Sequence, residues 1–309
     1  MHHEPVMLAE VLEVLSLKPG SAAADGTLGL AGHGREIAAR IAPGGLFLGM
    51  DWDLDMLEVA RERLKEVDGV TVALRRGDYR ELPEFIEEAC VAAGRAPQVD
   101  AALLDLGLNN AQIEDPSRGI SFRESGPLDM RMDRSRGETA ASLLNRAGPF
   151  EIEKILKDYG DENWARKIAQ IIVDRRKKAP LQTTDDLVDC VMAAIPPSKR
   201  EKRIHPATRT FQAIRIAVNH ELDDLESCLT AIARRLAPGG VFAVLSYHSG
   251  EDRATKRAFR ELSSEGYEEV FRKPLVPSAD EVARNPKSRS AKLRALRRGS
   301  ASIRGRMDA

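Results

Sequence analysis

From residue 21 to residue 107 two kinds of segment alternate, and this alternation limits the possible folds more than any other feature. "SAAADGT" reads as a short buried strand that ends in a turn, and "HGREIAARIA" reads as a helix stopped by "PGG". The cycle then repeats: "LFLGMDWD", "VTVALRRGD" and "VDAALLDLG" are strand-like, while "DMLEVARERLKEV" and "LPEFIEEACVAAG" carry apolar residues at helical spacing. Upstream, "VMLAEVLEVLS" has the same helical spacing. Strands alternating with helices at this interval predict an α/β fold, a parallel sheet with helices on both faces.

The rhythm breaks after residue 115. Residues 116–212 hold no convincing strand, but "FEIEKILKDYG", "ENWARKIAQIIVDRRKK" and "TTDDLVDCVMAAI" are helical in period. Thr184 is the expected N-cap of the last of these, and Pro196-Pro197 ends it. "TFQAIRIAVNHELDDLESCLTAIARRL" predicts one long helix, "APGG" a turn, and "VFAVLSYHS" a strand that resumes the α/β pattern. The expected layout is a sheet domain in two parts, 1–115 and 213–283, split by a helical insertion at 116–212 and followed by a basic tail at 284–309. That tail holds nine Lys or Arg against one Asp, a net of +8, so residues 1–283 carry −9 of the overall −1. A basic tail on an acidic body suggests a polyanionic partner, although a charge run is also compatible with a merely solvated segment.

Several classes of protein are excluded. No apolar run approaches the roughly 18 residues that a membrane helix needs, and "MHHEPVMLAE" lacks the basic and apolar regions of a secretory signal. Cys90, Cys190 and Cys228 are odd in number and scattered, which fits a reducing cytoplasm better than a disulfide framework or a zinc cluster. No His, Cys and Asp cluster has metal-ligand spacing, so no metal is expected.

The first strand runs into "DGTLGLAGHG", with Gly26, Gly29, Gly32 and Gly34. That spacing is neither G-x-G-x-x-G nor a P-loop, which argues against a diphosphate cofactor such as a nicotinamide dinucleotide. Asp51 stands at the end of the second strand, where an acid can accept hydrogen bonds from ribose hydroxyls. A glycine turn without a diphosphate grip, followed by a ribose-binding acid, fits S-adenosylmethionine, with Asp25 placed for an ammonium. The alternative is that the glycines only turn the chain and Asp51 only caps a helix. Tyr79, after the third strand, can cover an adenine edge or pack in the core. Asp105 ends the fourth strand, where ligands of α/β sheets bind, and Gln112 lies close behind.

"HHEPVMLAEVL", "DGTLGLAGHG", "LLDLGLNNAQIEDPSRGISFRESGPLDMRMD", "HPATRTFQAIRIAVNHEL", "LSYHSGEDRATKRAFRE" and "NPKSRSAKLRALRR" run in order along the chain. Together they resemble the ribosomal RNA small subunit methyltransferase H (MraW) family. The resemblance implies a Rossmann-like S-adenosylmethionine-dependent methyltransferase fold with an inserted all-helical domain. It also implies N4-methylation of a cytidine in the decoding region of 16S rRNA, in the cytoplasm, with the small ribosomal subunit as partner and a homodimer as an allowed assembly. The family's cofactor contacts fall on Ala31, Gly32, His33, Asp51, Tyr79, Asp105 and Gln112. The family more often has "GRGGHS" where this chain has "GLAGHG", Phe at Tyr79, "DLGVSS-PQ" for "DLGLNNAQ", and "FHSLEDR" for "YHSGEDR". Ala31 in place of glycine is expected to be tolerated with a negative φ.

Methyl transfer to a cytosine amine needs alignment of amine, methyl and sulfur, and acceptors for the amine hydrogens. Asn109 is the candidate to offer such a carbonyl. The base must leave any stack, and its phosphates need cations. Asp129 and Arg131 in "PLDMRMD", His205 and Arg209 in "HPATR", and His248, Asp252 and Arg253 in "YHSGEDR" are the substrate candidates. Each has a bland alternative: an ion pair between Asp129 and Arg131, a loop role for His205, a satisfied strand-end histidine for His248. The tail lacks aromatics, so it would grip phosphates without stacking bases. Two other readings share the same residues: a methyltransferase of this fold acting on another nucleic acid, and an RNA-binding factor without catalysis.

Overall fold

The computed structural model describes residues 5–108, 113–201 and 204–300. Contacts divide the chain into two compact units, one formed by Met1–Gly107 with the segment from Asp224 onward, the other by Leu108–Asp223.

The first unit is a seven-stranded sheet in the order β3-β2-β1-β4-β5-β7-β6. Its strands are β1 (Ala22–Asp25), β2 (Gly45–Asp51), β3 (Val70–Arg76), β4 (Val99–Asp105), β5 (Leu236–Ser246), β6 (Tyr267–Glu269) and β7 (Lys292–Arg298). The pairs among β1–β5 are all parallel, and β7 runs antiparallel to β5 and β6. The helices α1 (Leu8–Leu15), α2 (Gly32–Ile41), α3 (Leu54–Leu64) and α4 (Leu82–Ala92) intervene in the first half. β1 is four small or short residues buried throughout, as befits the middle of a sheet covered on both faces. α2 packs close on β2: a Cβ at Gly34 would lie 2.6 Å from Leu28 and 2.9 Å from Phe47, both buried. Gly34 is therefore a packing residue of the α2–β2 contact. Strand order reverses between β1 and β4, so their carboxyl ends open a crevice of the kind that binds ligands in such sheets.

The second unit is built from α5 (Ala140–Arg146), α6 (Pro149–Gly160), α7 (Ala165–Arg176), α8 (Thr184–Ala194) and α9 (Thr208–Asn219). Its own core includes Leu156, Ile168, Ile172, Leu187, Phe211 and Ile214, all buried. The preceding loop is held tightly. Asn219 donates to Met130 O and accepts from Met132 N, both at 2.8 Å, while the Arg118 guanidinium donates to Met132 O. These bonds satisfy backbone groups that no strand or helix serves.

Four details depart from the sequence reading. The N-cap of α8 is Thr183, not Thr184, because only Thr183 has an acid three residues on: Asp186 returns the hydrogen bond in a capping box, whereas Thr184 faces Leu187 at that spacing. The expected long helix is two helices, α9 and α10 (Leu225–Arg234), separated where His220 and Asp224 both take φ near 53°. The compact units accordingly divide at 107/108 and 223/224, away from the expected 115/116 and 212/213. Finally, residues 284–300, the described part of the expected tail, are not simply a charged run. α12 (Ala279–Arg284) precedes β7, whose Leu293, Ala295 and Leu296 are buried between its cations. Those apolar residues drive the segment into the sheet, beside β5 and the helix α11 (Ser249–Leu262) that follows it.

Candidate functional site

The carboxyl ends of the central strands gather three acids. Asp25 pairs in register with Gly49 of β2 and Leu103 of β4, and Asp51 and Asp105 lie just beyond those partners at the ends of their own strands. Short hydrogen bonds fix each. Asp51 accepts from Gly29 N at 2.7 Å and from Asp53 N at 2.9 Å, so one carboxylate shapes both the glycine turn and the exit from β2. The cap of α3 is Asp53, which accepts from Asp55 N, and the helix-cap alternative for Asp51 falls away. Asp25 accepts from Thr27 N at 3.0 Å, and Thr27 Oγ1 in turn accepts from Asp105 N at 2.6 Å. The hydroxyl thereby ties the turn after β1 to the end of β4.

The glycine turn is left-handed at two places. Gly29 has φ 51°, and Ala31, the residue before α2, has φ 59°. The condition under which Ala31 would replace glycine without strain, a negative φ, is thus not met: its Cβ is held in a conformation that costs an L residue about 1–2 kcal/mol. No side chain caps α2, so the backbone N–H groups of its first turn, Gly32 and His33 among them, are not taken by a capping residue. His33 is buried. Its Nε2 sits 2.9 Å from Val6 O, which can only accept, so Nε2 carries the proton. Burial pushes the imidazole below its ordinary 6.5, leaving it neutral with Nδ1 as an acceptor 3.6 Å from Asp105.

Burial dominates the acids as well. It raises the Asp25 and Asp105 carboxyls from 3.8 to about 7 and that of Asp51 to about 6, despite the hydrogen bonds that oppose it. Among the described residues, none of the three makes an ion pair with a lysine or arginine. Three desolvated carboxyls without a resident cation form a site suited to a ligand that brings positive charge and hydrogen-bond donors.

Tyr79 follows β3 in a short 3₁₀ turn beside this edge, its Cβ within 3.3 Å of where a Cβ on Gly26 would stand, with the Arg80 guanidinium 5.1 Å from its ring. The sequence reading missed Thr27 and Tyr247. Thr27 was within reach, since it lies inside the quoted glycine segment. Tyr247 stood out only as the departure of "YHSGEDR" from the family's "FHSLEDR", and its role stayed hidden because its bond to β4 joins residues 142 apart.

The remaining substrate candidates fall into several arrangements. In the first unit, His248 is the N-cap of α11 and shares a capping box with Glu251, its Nε2 3.2 Å from Glu251 Oε1. Asp252 accepts from Arg294 Nε at 2.7 Å and Lys292 Nζ at 2.9 Å. Desolvation works against its charge, but these two cations hold it below 3.8. Asp252 therefore secures β7 to α11, and two cations of the presumed tail are engaged there, not offered to phosphates. In the second unit, Arg131 grips Asp129 through two bonds of 2.7 and 2.9 Å, so the ion-pair alternative is the one observed. His205 and Arg209 line an open recess together with Trp164, Lys199 and Arg200. Arg209 is paired with Glu201 at 2.8 Å, and His205 Nδ1 accepts from Ala207 N while its ring lies 4.7 Å from that of Phe122. Asn109 and Gln112 lie outside the described residues.

The sheet order defines a Rossmann-like α/β protein, with a candidate ligand site at the acid-lined carboxyl ends of β1, β2 and β4. The model of the MraW methylase family matches residues 1–299, and the chain belongs to that family. It is 45% identical to the ribosomal RNA small subunit methyltransferase H of Pelobacter propionicus, over 95% of this chain and 97% of that one. Proteins of the same name from a Geobacter species and from Heliobacterium modesticaldum are each 42% identical, covering 96% and 95% of this chain and 98% and 97% of theirs.

Proposed function

We propose that this protein transfers a methyl group from S-adenosylmethionine to N4 of a cytidine in the decoding region of 16S rRNA, acting on the small ribosomal subunit in the cytoplasm. The observation that carries the cofactor assignment is the trio Asp25, Asp51 and Asp105, desolvated and without a lysine or arginine partner among the described residues. The names of the relatives support the substrate.

When bound, S-adenosylmethionine supplies an electrophilic methyl on a sulfonium, together with an ammonium and ribose hydroxyls. Asp51 has lone pairs left over after its two backbone bonds and accepts from hydroxyls. Asp25 and Asp105 face the cationic part of a ligand. Backbone N–H groups of Gly32 and His33, with Ala31 shaping the turn, receive a carboxylate at the start of α2. Tyr79 offers a ring to cover the base.

On the acceptor side, the chain's task is positioning. The Asn109 carbonyl would accept a hydrogen bond from the cytosine amine and so orient it; the nitrogen would gain the methyl as the carbon–sulfur bond of the donor breaks, and the amine proton, made acidic by that change, would pass to water. Gln112 is the last cofactor contact. For the flanking RNA, the recess sets Trp164 and His205 beside Lys199, Arg200 and an Arg209 already paired with Glu201, with Glu162 also in its lining, so its aromatic faces together with Lys199 and Arg200 are the groups offered to unstacked nucleotides. Arg131 and Asp129 stabilise the neighbouring loop, and His248 and Asp252 order the start of α11.

Mass spectrometry of small-subunit rRNA from cells with and without this protein tests the proposal. Loss of N4 methylation at the decoding-region cytidine is expected in the deletion. An unchanged cytidine would overturn it, and loss of a methyl elsewhere would transfer the activity to another site.

A further inference from the structure

The hydroxyl of Tyr247 donates to Asp105 Oδ1 at 2.7 Å. The tyrosine leaves the end of β5 just before α11, and its own N–H donates to Glu251 Oε2 at 2.7 Å, as does His248 N at 3.3 Å. The capping box of α11 therefore fixes the backbone that carries the phenol. On its other side the ring lies against Gly107, where an added Cβ would be 3.3 Å away. The side chain is thus held at both ends, by the α11 cap and by the turn after β4, with its hydroxyl aimed at a carboxylate of the crevice.

We infer that Tyr247 is a positioning residue for the cofactor site: its hydroxyl orients the Asp105 carboxylate and favours the ionised form that accepts hydrogen bonds from the ligand. The inference rests on the cofactor reading above. The phenol is suited to the task because burial and the adjacent Asp105 raise it well above its ordinary 10, so it stays a donor. Among the described residues, the groups facing Asp105 are few. His33 on α2 presents an unprotonated nitrogen at 3.6 Å, Asp25 on β1 and Glu251 on α11 are acids that disfavour a further negative charge, and Thr27 bonds only the Asp105 backbone. Glu281 on α12 acts on Tyr247 and His33 and accepts from Met7 N. Among the described residues, Tyr247 is the one side chain that donates a hydrogen bond to the Asp105 carboxylate, and that bond favours its charge against burial and Glu251.

The test is the pH dependence of S-adenosylhomocysteine binding, measured by calorimetry from pH 5.5 to 9 on the full chain. For the unsubstituted protein, affinity rises with pH as Asp105 ionises. Removing one hydrogen bond to a charged group by Tyr247→Phe is expected to move that rise upward by about one pH unit, with about a fivefold loss at pH 7, approaching tenfold below it, that is largely recovered at pH 9. In an Asp105→Asn background, Tyr247→Phe should leave the profile where it was, since the group it acts through is gone. A Tyr247→Phe profile identical to the unsubstituted one, or a loss equal at every pH, would overturn the inference while leaving the cofactor site intact. A persistent shift in the Asp105→Asn background would overturn it too. No binding by the unsubstituted protein would overturn both this inference and the cofactor reading.

Discussion

Replacing Asp252 separates two roles that its sequence position leaves open. Its carboxylate lies 2.7 Å from Arg294 Nε and 2.9 Å from Lys292 Nζ. The side chain of Arg294 is 8% exposed and that of Lys292 39%, so the two bonds differ greatly in consequence. The lysine partner is half in solvent and contributes about 0.2–1 kcal/mol. The arginine is buried, and removing its partner leaves a guanidinium charge uncompensated, which in full burial costs about 3–5 kcal/mol. Asp252 itself is 17% exposed and Glu269 stands 3.8 Å from Arg294, so partial compensation reduces the expected loss for Asp252→Ala to about 2–3 kcal/mol. Urea unfolding at pH 7 measures it. The double variant with Arg294→Met should recover much of the loss, because the orphaned charge goes with it. The pH dependence has a definite sign. The folded carboxyl is held below 3.8, so its contribution is present above that value and lost as pH falls through the lower folded value. Unchanged stability in Asp252→Ala, combined with lost RNA binding, would refute this reasoning and make Asp252 a substrate contact.

Three other outcomes follow from the site. Ala31→Gly removes a Cβ from φ 59° and should stabilise the protein by about 0.5–1 kcal/mol after the flexibility of glycine is counted, read as a rise in unfolding midpoint. Asp51→Ala leaves Gly29 N and Asp53 N without their acceptor and removes the ribose contact, so S-adenosylhomocysteine affinity should fall more than tenfold in calorimetry, with a smaller stability loss of about 1–3 kcal/mol. The raised Asp25 and Asp105 carboxyls make the ligand-free protein lose stability as pH rises from about 4 to about 7, because the unfolded chain releases those protons first. A cationic ligand should draw the same protons off, so its binding enthalpy near pH 6.5 should vary with the ionisation enthalpy of the buffer in the sense of proton release.

What could be read from the sequence was whatever its local period and spacing encode. β1 to β5 were legible as apolar runs that stop at polar or glycine turns, and with them the acids that end β1, β2 and β4. The ion pair of Asp129 with Arg131 was also legible, being a contact between near neighbours in the chain, whereas His248 caps α11 through Nδ1 but leaves its buried Nε2 without a hydrogen-bond partner among the described residues. Tertiary choices were not. β7 was hidden by its cations, whose charges are visible in the sequence while the burial of Leu293 and Leu296 is not. The break between α9 and α10 was hidden because "NHELDD" keeps helical spacing while His220 and Asp224 turn left-handed. Thr183 was displaced by Thr184 in the reading because both are good caps, and only the partner at Asp186 decides. The bond from Tyr247 to Asp105 depends on β4 and β5 lying side by side, which no local pattern states.

The central claim is methyl transfer to one cytidine amine of small-subunit rRNA. Small ribosomal subunits from cells lacking this protein, incubated with the purified chain and methyl-labelled S-adenosylmethionine, test it most directly when the rRNA is digested and its nucleosides are separated by mass. The account predicts label in N4-methylcytidine at the decoding-region position, abolished by Asp51→Ala. No label in rRNA, or label confined to another nucleoside, would contradict it.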